Sequence, residues 1–169
     1  HKLGVKIVIR GSIEKLDKSL KDKILNAQKK TLNNKSISLV IAFDYGEKKI
    51  GVAVGQTATN TSSPLQIIFN KENNINWVSI SSILDEWKPD LILIGKPLNM
   101  DGSESEMMKK INKFYIKLKS IYDADIEFVD ERLTTFEART ILKGEKQINV
   151  DAHAAKILID NWFEINDKK

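Results

Sequence analysis

Four carboxylates in this chain stand where chemistry is expected: Asp44, the adjacent pair Asp130 and Glu131, and Asp151. Each borders an apolar, patterned segment rather than lying in a charged run. Carboxylates brought together repel one another, so convergence needs a compensating charge. A divalent cation provides it. Magnesium takes oxygen ligands and keeps several waters, which leaves positions for a phosphate. Two such ions about 4 Å apart activate a water on one side and stabilise the leaving oxygen on the other. The chemistry these residues suit is therefore phosphodiester hydrolysis with Mg2+ or Mn2+. Soft-metal sites are excluded: the chain has no cysteine and only two histidines, His1 and His153. Any metal must be held mainly by oxygen.

The elements that would position these groups follow from hydrophobic periodicity. Ile37–Phe43 is a β-rich apolar run, so Asp44 directly follows a buried strand. Tyr45-Gly46-Glu47-Lys48 has turn composition, and Ile50–Val54 follows as the second arm of a hairpin. Leu65–Phe69 is expected as a third strand. Trp77, Ile80, Leu84 and Trp87 have helical spacing, with a stop before Pro89. Leu91–Ile94 is a fourth strand. Met107, Ile111, Phe114, Leu118 and Ile121 mark a second helix, with Ser103 and Glu106 as an expected capping box. Ile126–Val129 is a fifth strand, ending at Asp130-Glu131. Thr134 with Glu137 is expected to start a short helix, and the last helix runs from about Asp151 to Phe163. Asp151 is at once an expected N-cap and a candidate ligand. The three tryptophans, Trp77, Trp87 and Trp162, fall on apolar stripes and are expected in the core.

This order predicts an α/β fold: a mixed five-stranded sheet, strands 1–3 antiparallel and strands 1, 4 and 5 parallel, with helices on both faces. In such sheets ligands gather beyond the carboxyl ends of the parallel strands. Asp44 and the Asp130-Glu131 pair lie at those ends.

Four blocks then carry a family resemblance, in order, over roughly residues 37–165. They are Phe43-Asp44-Tyr45-Gly46 with Ile50-Gly51-Val52-Ala53-Val54-Gly55; Gly95-Lys96-Pro97-Leu98-Asn99-Met100-Asp101-Gly102; Asp130-Glu131-Arg132-Leu133-Thr134-Thr135 with Glu137-Ala138-Arg139; and Asp151-Ala152-His153-Ala154-Ala155. Together they resemble the YqgF/RuvX family, which is similar in fold to Holliday-junction resolvases. The resemblance implies a ribonuclease-H-like domain, and a nuclease maturing the small-subunit ribosomal RNA precursor or resolving branched DNA. It also implies Asp44, one carboxylate of Asp130-Glu131, and Asp151 as catalytic metal ligands. Glu131 is favoured over Asp130, because neighbours on an extended segment point opposite ways. Lys48, Lys49, Lys96 and Arg132 are the candidate nucleic-acid contacts. Two departures stand out: the family often has an apolar residue where Lys96 stands, and Lys143–Val150 is short for a loop that is often longer and glycine-rich.

Charge divides the chain unevenly. Residues 1–36 hold ten Lys/Arg against three Asp/Glu, a balance of +7, while residues 37–169 balance at −3, giving +4 in all. Residues 1–36 are expected as a basic extension ahead of a nuclease domain at 37–169. Lys15, Lys18, Lys21 and Lys29 are its candidate contacts to a polyanion. No apolar run approaches the roughly 18 residues of a membrane span, no secretory signal pattern is present, and a cysteine-free chain suits a reducing compartment. The expected setting is the cytoplasm, the expected partner RNA or branched DNA, and the expected state a monomer or homodimer. A non-catalytic nucleic-acid binder is the alternative, against which all acidic positions stand. An ATPase built on an Asp-x-Gly hairpin would need a second lobe, and the chain lacks a P-loop pattern.

Overall fold

The computed structural model describes residues 36–72, 74–97, 105–130 and 150–167. The expected helix near Thr134, the Gly95–Gly102 turn beyond Pro97, and the extension up to residue 35 lie outside them.

Five strands form one sheet: β1 (Leu39–Asp44), β2 (Lys49–Gln56), β3 (Thr61–Phe69), β4 (Leu91–Lys96) and β5 (Asp125–Asp130), in the order β3-β2-β1-β4-β5. β1 is antiparallel to β2, and β2 to β3. β1 is parallel to β4, and β4 to β5. The topology is the one predicted. Its centre is β1, whose Val40, Ile41, Ala42 and Phe43 are completely buried. A strand covered on both faces has no polar side, which is why its sequence is a continuous apolar run.

Strand alternation divides the core in two. Ile41, Phe43, Ile50, Val52, Ile92 and Ile94 face one side, packed with Ile80, Ile83, Leu84, Ile111, Phe114 and Leu118. The latter belong to α1 (Trp77–Trp87) and α2 (Glu106–Ile121). Val40, Ala42, Ala53, Leu91, Leu93 and Val129 face the other side. There they meet Ala155, Leu158, Ile159 and Phe163 of α3 (Val150–Asp167), a stripe at helical spacing. Trp77 and Trp87 pack against the first cluster and Trp162 against the second, as the apolar stripes indicate.

Element ends are set by specific side chains. Asn76 caps α1 by accepting from the Ser79 amide at 3.1 Å. Lys88 ends α1 in the left-handed region, φ 48°, immediately before Pro89. Asp90 Oδ2 then accepts the Ser38 and Leu39 amides at 2.9 and 3.1 Å, fixing where β1 begins. The cap of α2 corrects the sequence expectation. Ser105, not Ser103, is the N-cap, accepting from the Met108 amide at 3.1 Å. With methionine at that third position, the reciprocal carboxylate of a capping box is missing. Asp151 is likewise not a cap. It lies inside the first turn of α3, which begins at Val150; there its charge still favours the positive end of the helix.

Candidate active site at the carboxyl edge of the sheet

Asp44 is the last residue of β1 and is paired in register with Gly51 of β2. By alternation Asp44 shares the face of Val40 and Ala42, the α3 face. Gly51 shares that face, and a Cβ built on it would lie 1.9 Å from the Asp151 carbonyl oxygen and 3.0 Å from the Ala152 nitrogen. The backbone of the first turn of α3 therefore rests directly on Gly51, across from Asp44. Four residues on, Gly55 makes room for Ile159 and Phe163 of the same helix. Ala152 and Ala155 complete the close approach with small buried side chains. Glycine inside a strand marks such approaches of backbone to sheet. Two carboxylates 107 positions apart in sequence are brought to one place by this contact.

The face also holds a cation. Lys49, on the same side of β2 as Gly51, places its ammonium 2.5 Å from Asp151 Oδ2. That oxygen is itself buried, so Lys49 supplies the charge that compensates it. Lys49 remains 45% exposed at its side chain and Asp151 25%, so the pair sits at the mouth of the site.

The turn after Asp44 is anchored from several sides. The Tyr45 ring packs on Phe114 of α2 at 5.3 Å, and Phe114 is in turn edge-on to Phe43 and stacked with Trp77. Glu47 pairs with Lys110 of α2 at 2.6 Å. The Asn70 amide donates to the Gly46 and Glu47 carbonyls at 3.3 and 3.1 Å. Burial raises the Tyr45 pKa, the Glu47 charge raises it further, and Lys110 opposes both. The Glu47 hydrogen bond raises that of Lys110. Tyr45, Glu47, Asn70 and Lys110 thus fix the position of Asp44 without touching its chemistry. In the sequence Tyr45 and Glu47 read only as turn residues and Asn70 and Lys110 carried no signal, since tertiary pairing alone makes them relevant. Gly51 did carry a signal: a glycine inside an otherwise β-branched run.

The other expected site residues fall differently. Lys96 ends β4 opposite Asp130 of β5. Both share the face of Ile92, Ile94 and Ile126, the α1/α2 face, and so are directed away from the Asp44–Asp151 side. Lys48 is exposed in the turn. His153 is half-buried within α3. Glu131 and Arg132 lie outside the described residues. Among the described residues no three Asp, Glu or His side chains form a group able to hold a metal ion; the structure seats the backbone of Asp151 on Gly51, the register partner of Asp44, and pairs Asp151 with Lys49. No helix among them is long and apolar enough to cross a membrane.

Comparison with known proteins gives this arrangement a context. Residues 38–165 match the RuvX family, described as Holliday junction resolvase. The chain is similar to the proposed pre-16S rRNA nuclease of Hahella chejuensis, 40% identical over 134 residues, covering 76% of this chain and 85% of the relative. That of Mannheimia succiniciproducens is 45% identical over 131 residues, covering 73% and 93%. In three dimensions the chain resembles T. thermophilus RuvC in complex with Holliday junction substrate, with TM-score 0.52 at 8% identity, over 76% of this chain and 96% of that one. It also resembles the fowlpox virus resolvase bound to Holliday junction DNA, with TM-score 0.51 at 14% identity, over 76% and 98%. Identities this low establish the fold, which is that of the ribonuclease-H-like resolvases.

Proposed function

The chain belongs to the RuvX family, and we propose that it is a divalent-metal nuclease that processes the end of precursor 16S rRNA in the cytoplasm. The observation that carries this reading is the seating of Asp151 on Gly51, across the β1–β2 pair from Asp44. This contact supports a shared site for the two carboxylates at the carboxyl edge of the sheet, where α/β folds bind their ligands.

A hard divalent cation fits this donor set. The donors are carboxylate oxygens, and one of them, Asp151 Oδ2, is buried and already draws a cation, the Lys49 ammonium. A buried carboxylate oxygen is costly unless a cation or another partner meets it. We assign the third ligand to Glu131. Asp130 ends β5 on the α1/α2 face, away from the side of Asp44, which leaves its neighbour as the carboxylate the family resemblance offers. Asp44, Glu131 and Asp151 would hold one or two Mg2+ or Mn2+ ions, which when bound supply an activated water and charge neutralisation at the scissile phosphate.

The remaining steps fall to the chain's own side chains. Lys48 and Lys49, at the rim on the hairpin, give cationic contact to the backbone on either side of the cut. Arg132 offers a planar fork for a phosphate, while Lys96, on the α1/α2 face, can meet only a more distant part of the nucleic acid. The anchored turn at Tyr45–Lys48 keeps Asp44 fixed as substrate arrives, so little ordering cost is left to the reacting complex.

The names carried by the 40–45% identical relatives support precursor 16S rRNA as substrate. Branched DNA is the second candidate, favoured by the family's description; it would call for two sites and hence a symmetric dimer. Cleavage of end-labelled precursor-16S fragments, unrelated single-stranded RNA and a four-way DNA junction, by wild type and Asp44→Asn, separates these. Metal-dependent cutting of the precursor by wild type alone is the expected result. Preferential cutting of the junction would transfer the assignment to DNA, and equal cutting by Asp44→Asn would remove the site.

A further inference from the structure

The proposed chemistry assigns no role to the ion pair that closes the site. Lys49 Nζ and Asp151 Oδ2 are 2.5 Å apart, and that oxygen is buried. An ammonium this close compensates the charge of the buried oxygen. It does so on the face where Asp44 and Asp151 converge. Lysine is suited to such a task, being a compact point charge on a flexible four-carbon stem. Here the stem starts at the first residue of β2 and the side chain is 45% exposed, so the ammonium can leave toward solvent without disturbing the sheet.

We propose that Lys49 is a built-in placeholder cation: it neutralises Asp151 while the site is free of metal, and gives up that oxygen when a divalent ion binds. The released ammonium then lies at the rim of the site, available to a phosphate of the incoming nucleic acid. Metal loading and substrate binding are thereby coupled through one side chain, since the same charge cannot hold Asp151 and a phosphate together. The coupling is reciprocal: whatever draws Lys49 off Asp151 favours metal, and metal favours Lys49 on phosphate. The inference rests on the metal site proposed above.

Calorimetric titration of Mn2+ into wild type, Lys49→Gln and Lys49→Arg, with melting temperatures in chelator and in saturating Mn2+, tests it. Removing the competing ammonium should tighten Mn2+ binding by about fivefold in Lys49→Gln, the scale of a partly exposed ion pair at the upper end of its range. Lys49→Arg should keep the wild-type affinity. Lys49→Gln should melt lower than wild type in chelator, where Asp151 has lost its compensation, and level with wild type in Mn2+. A lysine that is merely structural would lower both melting temperatures and leave the affinity unchanged, and that pattern overturns the placeholder role. Weaker Mn2+ binding in Lys49→Gln overturns it too. Absence of Mn2+ binding in all three proteins removes the metal site itself, and the placeholder with it.

Discussion

Replacing Gly51 with alanine tests the contact on which the site depends. The added Cβ would stand 1.9 Å from the Asp151 carbonyl oxygen and 2.4 Å from its carbon. Ordinary contact begins near 3.4 Å, so the first turn of α3 must recede by about 1.5 Å. The obstructing atoms are backbone, so no side-chain rotation relieves them. Overpacking of this kind costs about 1–3 kcal/mol, partly offset by the roughly 0.5–1 kcal/mol that alanine gains over glycine in a strand. The melting temperature should fall by a few degrees, at about 2–4 °C per kcal/mol for a chain of this size. Activity should fall much further, because the displacement is applied to Asp151 against Asp44. A misplacement of about 1 Å can cost about 100-fold. Gly55→Ala is the matched control. Its Cβ would meet Ile159 Cγ2 at 2.6 Å and Phe163, two turns along α3 from Asp151. It should cost comparable stability while retaining most of the activity. The assay is single-turnover cleavage of a precursor-16S fragment beside thermal melting of the same samples. Wild-type cleavage by Gly51→Ala, or equal loss of activity in both variants, would refute the reasoning.

Three further outcomes follow from particular contacts. Asp90→Ala leaves the Ser38 and Leu39 amides without their carboxylate; hydrogen bonds to a charged group are worth roughly 1.5–3 kcal/mol, so urea unfolding should shift by about that amount with the m-value unchanged. Tyr45 titrates above its usual range, chiefly through burial, so the native state holds its proton more tightly than the unfolded chain. That stability is fully present below pH 10 and is lost as pH rises through the native pKa. Tyr45→Phe should accordingly show a shallower decline in melting temperature from pH 9 to 11 than wild type, and an unchanged decline would exclude the assignment. Asn70→Ala removes the amide that holds the Gly46 and Glu47 carbonyls; cleavage should drop roughly tenfold through a looser Asp44 turn, visible as faster amide exchange at Tyr45–Lys48.

Much of this architecture is written in local patterns. β1, β2 and β4 announce themselves because central strands must be apolar on both faces, and α1 ends where Pro89 forbids continuation. β3 is longer than its apolar run, starting at Thr61 rather than Leu65. Its first half, Thr61-Ser62-Ser63-Pro64, carries the polar residues and proline of an edge strand, with a register irregularity opposite Val52 and Ala53. Ser105 displaced Ser103 as the α2 cap because serine is a favoured N-cap at either position, and the backbone decides against the one with a glutamate three residues on. The strand-end carboxylates were legible through topology, since parallel strands must share a carboxyl edge. The juxtaposition of Asp44 and Asp151 was expected through the family resemblance, but the contact that produces it was not legible. It depends on a helix lying on Gly51 and Gly55, a contact between segments about a hundred residues apart that no local period encodes. The opposed direction of Lys96 and Asp130 became visible only once the β4–β5 register assigned them a face.

The most direct test of the central claim is the cleavage rate of a precursor-16S fragment in Mg2+ for wild type, Asp44→Asn, Glu131→Gln, Asp151→Asn and Asp130→Asn, each checked for native melting. The account predicts losses of at least about 100- to 1,000-fold in the first three variants, the scale on which removing one electrostatic stabiliser acts, and a rate near wild type in Asp130→Asn. A fully active Asp44→Asn or Asp151→Asn, or an Asp130→Asn as inactive as Glu131→Gln, would contradict it.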